Sequence, residues 1–524
     1  MSAVLNVGEM LSVNARLYPD RLAVKDLRRS LTYARYEERA NRLANALSGL
    51  GLAQGDRLAV YAHNCVEWME IYAACAKSGV VAVPVNFRLT ASEVRFILED
   101  CEAAAVVAGA DLADTIDAIR GGLPVRPDAY VRLGGEGRRP GWRSYEELVA
   151  GGSASPPRVR VRPEDTWTLM YTSGTTGRPK GAIRSHLSYA LFYLMNAVEF
   201  GFGRGDTGLA VMPMCHVNSV FYGFVFVYLG GSVCVYDRQS FDPEHLLGVL
   251  SDERITFTSL VPTHYVMLLG LPAQVRARHD LRRVDKLLIS SAPARRETKL
   301  AIMECFPNSR LFEAYGSTEA GLVTLLRPEQ QFDKLGSIGR EIVGTGRLRL
   351  MDADGREVGE GEVGELFSLT PTAFDGYWKL PEATARAFQE GYCTAGDMAL
   401  RDAEGFYTLV DRKSNVVITG GEKVYPSEVE QVIASHPDVH DVAVIGVPDP
   451  KWGEAVTAVV VVRPGRALAP GAVIEHVRRQ LAGYKCPRGV LFIRDEEMPR
   501  TATGKILHRV LRDRFGGTGG AKKG

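Results

Sequence analysis

The sequence lacks the features that mark several large classes of protein. It has eight cysteines but no C-x-x-C pair, which excludes a zinc knuckle and a dense disulfide framework. Its charges nearly cancel, with 63 Lys and Arg against 62 Asp and Glu and a formal net charge of +1. Its overall field therefore cannot hold it on nucleic acid or on an anionic membrane. We expect a protein of the reducing cytoplasm with no nucleic-acid partner, and we leave peripheral membrane contact open.

Long hydrophobic runs are also scarce, and only one has the length of a membrane span. Residues 207–236 contain no Asp, Glu, Lys or Arg, and about 20 apolar residues suffice to cross a bilayer. Pro213, His216 and the pair Gly230–Gly231 interrupt this stretch, so we predict a buried helix followed by a buried strand. The N-terminal residues do not follow the pattern of a secretory signal. We therefore expect no integral membrane segment.

Short apolar runs alternate with segments of helical spacing up to about residue 400. The runs predict strands at 56–62, 81–86, 166–172, 208–213, 255–261 and 286–291. Apolar residues at helical spacing predict helices at 92–100 and 241–252. Near-continuous apolar strands interleaved with helices imply mostly parallel sheets that are covered on both faces. The sequence therefore predicts an α/β fold.

The chain is too long, at 524 residues, for one compact core. From about residue 340 the sequence becomes rich in Gly and Glu, with turn signals such as Asp354–Gly355 that favour antiparallel strands. A further α/β unit follows, with helices near 427–435 and 472–481 and strands at 441–447 and 490–494. We predict a large N-terminal domain over 1–411 with a β-rich subdomain at about 340–411. A small C-terminal domain over 412–524 would begin at a hinge near 412–415 and end in a disordered tail at about 516–524.

Residues 171–181 are the most informative segment of the chain. Directly after an apolar strand they combine three glycines, four Ser or Thr hydroxyls and Lys180. Glycines let successive backbone N–H groups converge on anionic oxygens, and the lysine adds a mobile charge, so this loop suits a polyphosphate. It is not a Walker A loop, because Gly174 and Gly177 are too close together and Gly181 follows the lysine. A solvated Gly/Ser/Thr connector is the alternative.

This loop closely resembles the signature of the adenylate-forming superfamily, which includes acyl- and aryl-CoA synthetases, nonribosomal-peptide adenylation domains and beetle luciferases. Other signatures of that superfamily appear in the same order along the chain. They lie at 213–216, 291–293, 315–319, 394–397, 411–412, 420–426 and 499–505. The resemblance covers about residues 10–515 and implies a large N-terminal adenylation domain with a small, mobile C-terminal domain.

The resemblance implies a nucleotide site with matching chemistry. An acidic side chain such as Glu319 can hold Mg²⁺ through its oxygens. Asp397 offers two acceptor oxygens for the ribose hydroxyls, and Arg412 can add donors to the same sugar. Without the motifs, Glu319 would be interpreted as a surface glutamate, Asp397 as part of a turn and Arg412 as one partner of a weak surface ion pair. The implied ATP- and AMP-binding residues are Thr172, Ser173, Gly174, Thr175, Thr176, Gly177, Lys180, Ser291, Ala292, Pro293, Glu313, Ala314, Tyr315, Gly316, Asp397 and Arg412.

The implied catalytic residues are Lys505, Thr318, Glu319 and His216. Lys505 lies in a Gly-containing loop where a predicted helix over 505–515 begins, and it would neutralise charge between the substrate carboxylate and the α-phosphate, although most lysines reach into water. By the same resemblance, His216 would gate the acyl pocket, with a buried structural histidine as the alternative. A Cys215–His216 nucleophile pair is disfavoured because adjacent side chains seldom face each other. A Ser173–Lys180 hydrolase dyad lacks an oxyanion motif.

The substrate prediction depends on charge. The acyl pocket should be lined by His216, Val217, Asn218, Ser219, Phe221, Tyr222 and Ser290. Residues 216–222 hold neither an acidic partner for an amino acid nor a cation for a second carboxylate, and an unpaired buried charge is expensive. We therefore predict a hydrophobic monocarboxylic acid, fatty or aromatic. Arg295 and Arg296 leave the binding of a second carboxylate open.

The acceptor prediction is coenzyme A, with Gly420, Gly421, Glu422 and Lys423 as the implied contacts and Ser414 as the implied hinge residue. The family usually has Asp or Lys at that hinge position and commonly has Asn where this chain has Lys423. Only 19 residues follow Lys505, too few for a fused carrier domain of about 80 residues. The sequence thus predicts an ATP-, Mg²⁺- and CoA-dependent, AMP-forming carboxylate–CoA ligase. The alternatives are an adenylating enzyme that loads a carrier protein in trans, luciferase-like oxidation, and a degenerate nucleotide-binding scaffold; homodimerisation stays open.

Overall fold

The computed structural model describes residues 5–172, 179–290, 294–501 and 504–516. By its contacts the chain divides into two compact units. The first unit comprises Met1–Arg347 and Ser368–Cys393, and the second comprises Leu348–Phe367 and Thr394–Gly524. The predicted disordered tail from residue 517 onward lies outside the described residues.

The helices of both units bury apolar faces against the sheets. They are α1 (Val7–Leu17), α2 (Tyr33–Gly49), α3 (Glu67–Ser78), α4 (Ala91–Asp100), α5 (Ala113–Ile119), α6 (Tyr145–Gly151), α7 (His186–Phe200), α8 (Val217–Leu229), α9 (Pro243–Asp252), α10 (Pro262–Leu269), α11 (Ala273–Arg276), α12 (Arg296–Cys305), α13 (Pro381–Ala387), α14 (Pro426–Ala434), α15 (Pro470–Arg478) and α16 (His508–Gly516).

The strands are short and mostly rich in β-branched residues. They are β1 (Leu22–Lys25), β2 (Ser30–Thr32), β3 (Arg57–Tyr61), β4 (Val81–Val85), β5 (Ala103–Gly109), β6 (Tyr130–Leu133), β7 (Arg143–Ser144), β8 (Thr166–Thr172), β9 (Lys180–Ser185), β10 (Thr207–Ala210), β11 (Ser232–Val235), β12 (Phe257–Leu260), β13 (Lys286–Ile289), β14 (Arg310–Ser317), β15 (Gly321–Leu326), β16 (Arg340–Glu341), β17 (Arg349–Met351), β18 (Gly364–Ser368), β19 (Gly376–Tyr377), β20 (Phe388–Gln389), β21 (Tyr392–Arg401), β22 (Tyr407–Arg412), β23 (Val417–Thr419), β24 (Glu422–Val424), β25 (Val439–Asp449), β26 (Gly453–Val462) and β27 (Gly489–Phe492).

Two large sheets organise the first unit. One has the strand order β16-β15-β14-β13-β12-β10-β11-β1-β2, and the other has the order β19-β9-β8-β4-β3-β5-β6-β7. Their central strands run parallel, whereas β2, β15, β16, β9 and β19 pair antiparallel at or near the edges. The predicted α/β fold with mostly parallel sheets is therefore confirmed. Strands β8 and β9 pair with Thr172 opposite Lys180, so the predicted phosphate loop connects these two strands.

The uncharged stretch 207–236 folds as its Pro and Gly residues predict. Strand β10 ends before Pro213, α8 spans the apolar run, and β11 follows the Gly230–Gly231 pair. Gly230 takes the left-handed conformation (φ 83°) that ends the helix. Almost every residue of α8 is buried, as a helix that is apolar on all sides requires. In the part of the chain that the structure describes, no helix combines the length and the hydrophobicity needed to span a bilayer.

The second unit contains β17, β18, β21 and β22 of one mainly antiparallel sheet. It also contains a five-stranded, mainly antiparallel sheet of β24, β23, β26, β25 and β27. The predicted antiparallel β-rich region is thus observed, but β19, α13 and β20 within 340–411 belong to the first unit, where β19 pairs with β9. Contacts group residues 394–411 with the C-terminal part of the chain. The predicted boundary after residue 411 and the hinge near 412–415 stay predictions.

The last helix begins later than its apolar pattern indicates. Helix α16 starts at His508, whereas the sequence predicts a helix from residue 505. An isolated antiparallel bridge pairs Arg500 with Ile506, and the Leu507 N–H donates to the Pro499 carbonyl at 2.8 Å. These hydrogen bonds hold residues 505–507 out of the helix. Lys505 therefore lies in a loop, as predicted.

Candidate active site

Residues 318–320 of the first unit form a turn, named here the carboxylate turn, which carries the predicted metal ligand Glu319. The turn follows β14, and the Glu319 side chain is buried. Its Oε1 accepts a hydrogen bond from the Tyr377 hydroxyl at 2.9 Å, and its backbone carbonyl accepts one from the Phe374 N–H at 2.6 Å. The Lys180 Nζ lies 5.0 Å from the centre of the Tyr377 ring. Tyr377 thus lies next to both the predicted phosphate lysine and the predicted metal ligand.

Strand β14 carries four of the predicted nucleotide-binding residues, and Gly316 is required there by packing. A Cβ on Gly316 would lie 2.1 Å from the Gly321 carbonyl oxygen across the β14–β15 hairpin, so no larger residue fits. Tyr315 is largely buried and Ala314 is partly buried on the same strand.

Glu313 has a structural partner that its motif does not reveal. Its carboxylate lies 2.6 Å from the buried Lys299 Nζ of α12 and accepts the Ala294 N–H at 3.2 Å. Burial raises the pKa of Glu313, and Lys299 opposes that shift. The Glu313 side chain thus forms an ion pair that links α12 to β14. Its contribution to nucleotide binding stays a prediction.

The structure describes only the two ends of the predicted phosphate loop. At its start, the Thr172 hydroxyl donates to the Lys180 carbonyl at 3.5 Å, which closes the loop at the β8–β9 end. Eight predicted nucleotide-binding residues lie outside the described residues, so their roles stay predictions. They are Ser173, Gly174, Thr175, Thr176, Gly177, Ser291, Ala292 and Pro293.

Arg184 is the prominent site residue that sequence reasoning missed. It is the penultimate residue of β9, is fully buried, and donates to the Thr318 carbonyl at 2.6 Å and to the Thr372 carbonyl at 2.7 Å. Its guanidinium carbon lies 5.1 Å from the ring centres of Tyr189 and Phe221. The available signal was a single charged residue in the otherwise uncharged run 181–189.

His216 begins helix α8 as its N-cap. Its Nδ1 accepts the Asn218 N–H at 3.3 Å, which satisfies one of the free donors of the first turn. Burial lowers the pKa of His216 to about 4, so the ring is neutral at physiological pH. Burial also raises the pKa of the neighbouring Cys215 thiol to about 12. This thiol stays protonated, which argues against a Cys/His nucleophile pair.

The first turns of α8 present aromatic rings to α7 and β12. Phe221 stacks on Phe192 with 3.8 Å between the ring centres, and Tyr222 packs 5.4 Å from Phe257. Val217 is buried among the same apolar residues. Aromatic pairs of this kind stabilise a wall beyond the area that they bury.

A neutral polar cluster lies beside these rings. The Asn218 side-chain amide donates to the Ser259 hydroxyl at 3.1 Å and to the Ser290 hydroxyl at 3.4 Å, and the two serines lie 3.2 Å apart. Ser219 donates instead to the Met212 carbonyl at 2.7 Å. The structure therefore brings Asn218 and Ser290 together as predicted pocket residues, whereas the Ser219 hydroxyl is engaged by the backbone.

The two arginines that left a second carboxylate open lie on the surface. Arg295 and Arg296 are both exposed at the start of α12, and the Arg296 guanidinium lies over the Phe332 ring at 5.4 Å. Neither one is buried beside the rings of α8.

In the second unit, the predicted ribose-binding pair is brought together by the β21–β22 hairpin. Asp397 and Arg412 are register partners, and the Asp397 Oδ1 lies 2.7 Å from the Arg412 Nε. Lys505 is close enough for their charges to act on its ammonium. Surrounding protein atoms and then Arg412 lower the pKa of Lys505, whereas Asp397 and Asp411 act to raise it.

The predicted CoA contacts form an exposed hairpin turn between β23 and β24. Gly420 (φ 60°) and Gly421 (φ 86°) both take the left-handed conformation, which a two-residue turn of this kind requires. The Gly420 N–H donates to the Trp452 carbonyl at 2.7 Å. Glu422 and Lys423 follow the turn and are exposed.

The hinge prediction has one structural neighbour in α16. The carbonyl of Ser414 accepts a hydrogen bond from the Arg512 guanidinium at 2.5 Å. Both residues belong to the second unit.

The donor set around Glu319 fits a magnesium ion that shares its ligands with a nucleotide. Across the described ranges, no group of three or more His, Cys, Asp or Glu side chains could hold a metal alone. Mg²⁺ usually takes one or two carboxylates and completes its shell with substrate phosphates and water. Glu319 would supply the carboxylate, since the hydrogen bond from Tyr377 uses only one of its four lone-pair positions.

Comparison with known proteins identifies the family. Residues 11–378 match the family described as AMP-binding enzyme, and residues 428–505 match the AMP-binding enzyme C-terminal domain. The chain is 35% identical over 507 residues to a feruloyl-CoA synthase of Amycolatopsis, covering 96% of this chain and 97% of that protein. It is also 35% identical over 519 residues to the long-chain-fatty-acid–CoA ligase FadD13 of Mycobacterium tuberculosis, covering 98% and 99% of the two chains.

Among solved structures, the O-succinylbenzoate CoA synthetase MenE of Bacillus subtilis, in complex with ATP and magnesium, has a TM-score of 0.83 to this chain. The two are 27% identical, and the likeness covers 96% of this chain and 99% of MenE. The chain belongs to the AMP-binding enzyme family. The prediction of an adenylate-forming, AMP-forming acyl-CoA synthetase is confirmed at the level of family and enzyme class.

Proposed function

We propose that this enzyme activates a hydrophobic monocarboxylic acid, fatty or aromatic, and transfers its acyl group to coenzyme A. The observation that carries the proposal is the absence of charge from residues 216–222 at the start of α8, which are predicted to line the acyl pocket. This segment presents the rings of Phe221 and Tyr222, and its Asn218 forms a neutral polar cluster with Ser290. A buried carboxylate or ammonium on the substrate would find no opposite charge in that segment, which makes its burial costly.

The exposure of Arg295 and Arg296 supports the same proposal. A dicarboxylic acid would need a cation inside the pocket, and these were the two candidates that the sequence offered. The names of the similar proteins include both an aromatic and a fatty acid substrate, so they favour neither alternative.

In the first step, the substrate carboxylate attacks the α-phosphorus of ATP in line, and pyrophosphate leaves. Lys505 would neutralise the charge between the carboxylate and the α-phosphate, while Lys180 and the phosphate loop would hold the leaving group. Asp397 and Arg412 would bind the ribose. When bound at Glu319, Mg²⁺ supplies positive charge against the β- and γ-phosphates. The product would be an acyl-adenylate.

In the second step, the thiolate of coenzyme A displaces AMP from the acyl-adenylate and forms a thioester. The activated mixed anhydride makes this substitution feasible, because AMP is a far better leaving group than the oxygen of a free carboxylate. The turn at Gly420 and Gly421 would contact the pantetheine arm. A rotation at Ser414 would exchange Lys505 for this turn between the two steps.

A substrate panel tests this proposal. Fatty acids of several chain lengths, benzoate- and cinnamate-type acids, malonate and amino acids are each supplied with ATP, Mg²⁺ and coenzyme A, and pyrophosphate release is measured. We expect turnover with hydrophobic monocarboxylic acids. Strong turnover of malonate or of an amino acid would refute the hydrophobic assignment.

The same panel, with a phosphopantetheinylated carrier protein added as a second acceptor, separates two of the alternatives. If coenzyme A gives acyl-adenylate but no thioester, while a phosphopantetheinylated carrier protein is acylated, the enzyme loads a carrier in trans. If no acid yields AMP although the nucleotide binds, the chain is a nucleotide-binding scaffold.

A further inference from the structure

Arg184 is a cation buried inside the first unit. It is fully buried on β9 between Ala182 and His186, which are also buried. Burial lowers its pKa below the ordinary arginine value, although the charges of Asp375 and Glu319 act to raise that pKa. Withdrawal of a guanidinium from water is costly, and a well-packed apolar side chain is often equally or more stabilising at such a position. The presence of arginine is therefore explained by what its N–H groups bind.

Those N–H groups join two segments that are distant in sequence. The Nη1 donates to the Thr318 carbonyl, 134 residues away, at 2.6 Å, and the Nη2 donates to the Thr372 carbonyl, 188 residues away, at 2.7 Å. A guanidinium is a rigid planar fork, so its two terminal nitrogens keep a fixed separation. This side chain therefore helps to fix the spacing between these two segments.

Every carbonyl of the carboxylate turn is held by a hydrogen bond. The Thr318 carbonyl accepts from Arg184, the Glu319 carbonyl accepts from the Phe374 N–H at 2.6 Å, and the Ala320 carbonyl accepts from the Thr372 hydroxyl at 2.9 Å. The turn therefore cannot move relative to the segment 372–374 without the loss of several bonds. Arg184 connects both of them to β9.

The flat faces of Arg184 are also occupied. Its guanidinium carbon lies 5.1 Å from the ring centres of both Tyr189 and Phe221, which limits rotation of the fork. Phe221 belongs to the predicted acyl pocket. The same arginine therefore contacts the wall of that pocket and the turn that carries Glu319.

We propose that Arg184 is a positioning residue, which sets the location of the Glu319 carboxylate for a magnesium–nucleotide complex without touching the nucleotide itself. This inference rests on the proposed function, because it takes Glu319 to face that complex. Removal of a hydrogen-bonding partner behind a metal ligand typically weakens metal binding about 10- to 100-fold.

The test measures metal binding, so it needs no acid and no turnover. The full chain and its Arg184→Gln variant are titrated with Mn²⁺ in the presence of ATP, and free Mn²⁺ is followed by electron paramagnetic resonance. We expect Arg184→Gln to weaken Mn²⁺ binding at least about tenfold and to change metal-free ATP binding much less. Arg184→Lys should recover only part of the loss, because an ammonium lacks the planar fork.

Arg39 offers a matched control in the same unit. Its guanidinium is also buried, but it pairs with Glu70 and Glu146 at 2.8 Å. Arg39→Lys should lower the midpoint of thermal unfolding and leave the Mn²⁺ affinity unchanged. An equal loss of Mn²⁺ affinity in Arg39→Lys would overturn the proposal, because general destabilisation would then explain both variants.

A second pair of variants covers a failure of Arg184→Gln to fold. Thr372→Val removes the hydroxyl that holds the Ala320 carbonyl, whereas Thr372→Ser keeps it. Thr372→Val should weaken Mn²⁺ binding severalfold, and Thr372→Ser should not. Wild-type affinity in a folded Arg184→Gln variant, or in Thr372→Val when Arg184→Gln does not fold, would reject the positioning role.

The outcome is distinguishable from a failure of the proposed function. A wild-type chain that binds Mn²⁺ and ATP but adenylates no acid would reject the ligase proposal, while the comparison of variants would still decide the role of Arg184. A wild-type chain that binds no Mn²⁺ in the presence of ATP would reject both.

Discussion

The two units hold their functional groups in different ways. In the first unit, Glu319 and Arg184 are buried, and the hydrogen bonds that fix them join segments 55 to 188 residues apart. In the second unit, the Gly420–Gly421 turn is exposed, and the Lys505 N–H donates to the Thr501 hydroxyl only four residues away. The first arrangement gives a rigid site, whereas the second presents residues on short local turns. This difference suits an enzyme in which one part binds its substrates and the other supplies different groups in successive steps.

The largest effect that this comparison predicts is at Lys505. Lys505→Ala should slow acyl-adenylate formation about a hundredfold or more, because one charge donor is lost where negative charge develops. Thioester formation from supplied acyl-adenylate should stay near the wild-type rate. Pyrophosphate exchange and thioester assays measure the two steps separately.

Lys485→Ala is the control, since Lys485 belongs to the same unit and pairs with Glu428 at 2.6 Å. Its effect on both steps should be small. Equal losses in both steps for Lys505→Ala would contradict the proposed division of work between them.

The next largest effect concerns the Asp397–Arg412 pair. Asp397→Ala should raise the KM for ATP about tenfold or more, because charged hydrogen bonds to the ribose are lost and Arg412 loses its ion pair with Asp397. The variant should also lose discrimination between ATP and 2′-deoxy-ATP. Steady-state kinetics with both nucleotides measure this change.

Asp402→Ala gives the comparison for that variant, since Asp402 binds the backbone N–H groups of its own turn at Glu404 and Phe406. It should leave the ATP/2′-deoxy-ATP ratio unchanged. An Asp397→Ala variant that keeps the wild-type ratio would remove Asp397 from the ribose site.

Histidines in the two units should respond to pH in opposite directions. In the first unit, burial lowers the pKa of His186 to about 3, so the unfolded chain takes up a proton below pH 6.5 that the folded chain does not bind. Stability should therefore fall as the pH falls, by about 2 kcal/mol per histidine between pH 6.5 and pH 5. His186→Phe should reduce this slope for the transition of the first unit, as followed by calorimetry across that range.

In the second unit, burial acts to lower the pKa of His508, but its hydrogen bond and charge interaction with Glu430 outweigh burial and raise the pKa. The stability from this pair should be fully present below pH 6.5 and should disappear as the pH rises through the folded-state pKa. His508→Gln should cost about 1 kcal/mol at pH 6 and less at pH 9. A variant that is equally destabilised at both pH values would contradict the ion pair.

The smallest predicted effect on the reaction itself is at the exposed turn of the second unit. Gly420→Ala places a Cβ at φ 60° and 3.0 Å from the Trp452 ring, which costs about 1 to 2 kcal/mol. Thioester formation should slow severalfold, with adenylation unchanged. Gly465 is also at positive φ (75°) in this unit, and Gly465→Ala should not change the rate of either step. If Gly465→Ala slowed thioester formation equally, general backbone strain would explain the loss of rate in both variants.

Local pattern predicted some of the helices and strands, and the motifs predicted the class of the protein. The apolar runs at 81–86 and 166–172 became β4 and β8, and the interrupted stretch 207–236 became β10, α8 and β11. The start of α16 was wrong by three residues, because the bridge between Arg500 and Ile506 overrides helical spacing. The motifs implied that Asp397 and Arg412 bind the same ribose, and the structure pairs the two residues because both lie on one hairpin.

Pattern could not reveal the contacts that fix the carboxylate turn. Tyr377 carries no motif, and its link to Glu319 exists because β19 joins the sheet of β9. The sheet order likewise decides that Arg184 reaches Thr318 and Thr372.

The sequence by itself indicated some of the helices and strands, the family and the chemical types at the site, because these depend on spacing within short segments. Only the tertiary structure decided which buried groups form hydrogen bonds with Glu319. It also decided that Glu313 forms an ion pair with Lys299, and that Arg295 and Arg296 are exposed to solvent. The physical reason is that hydrogen bonds and burial act through space, between segments whose separation along the chain leaves no local trace.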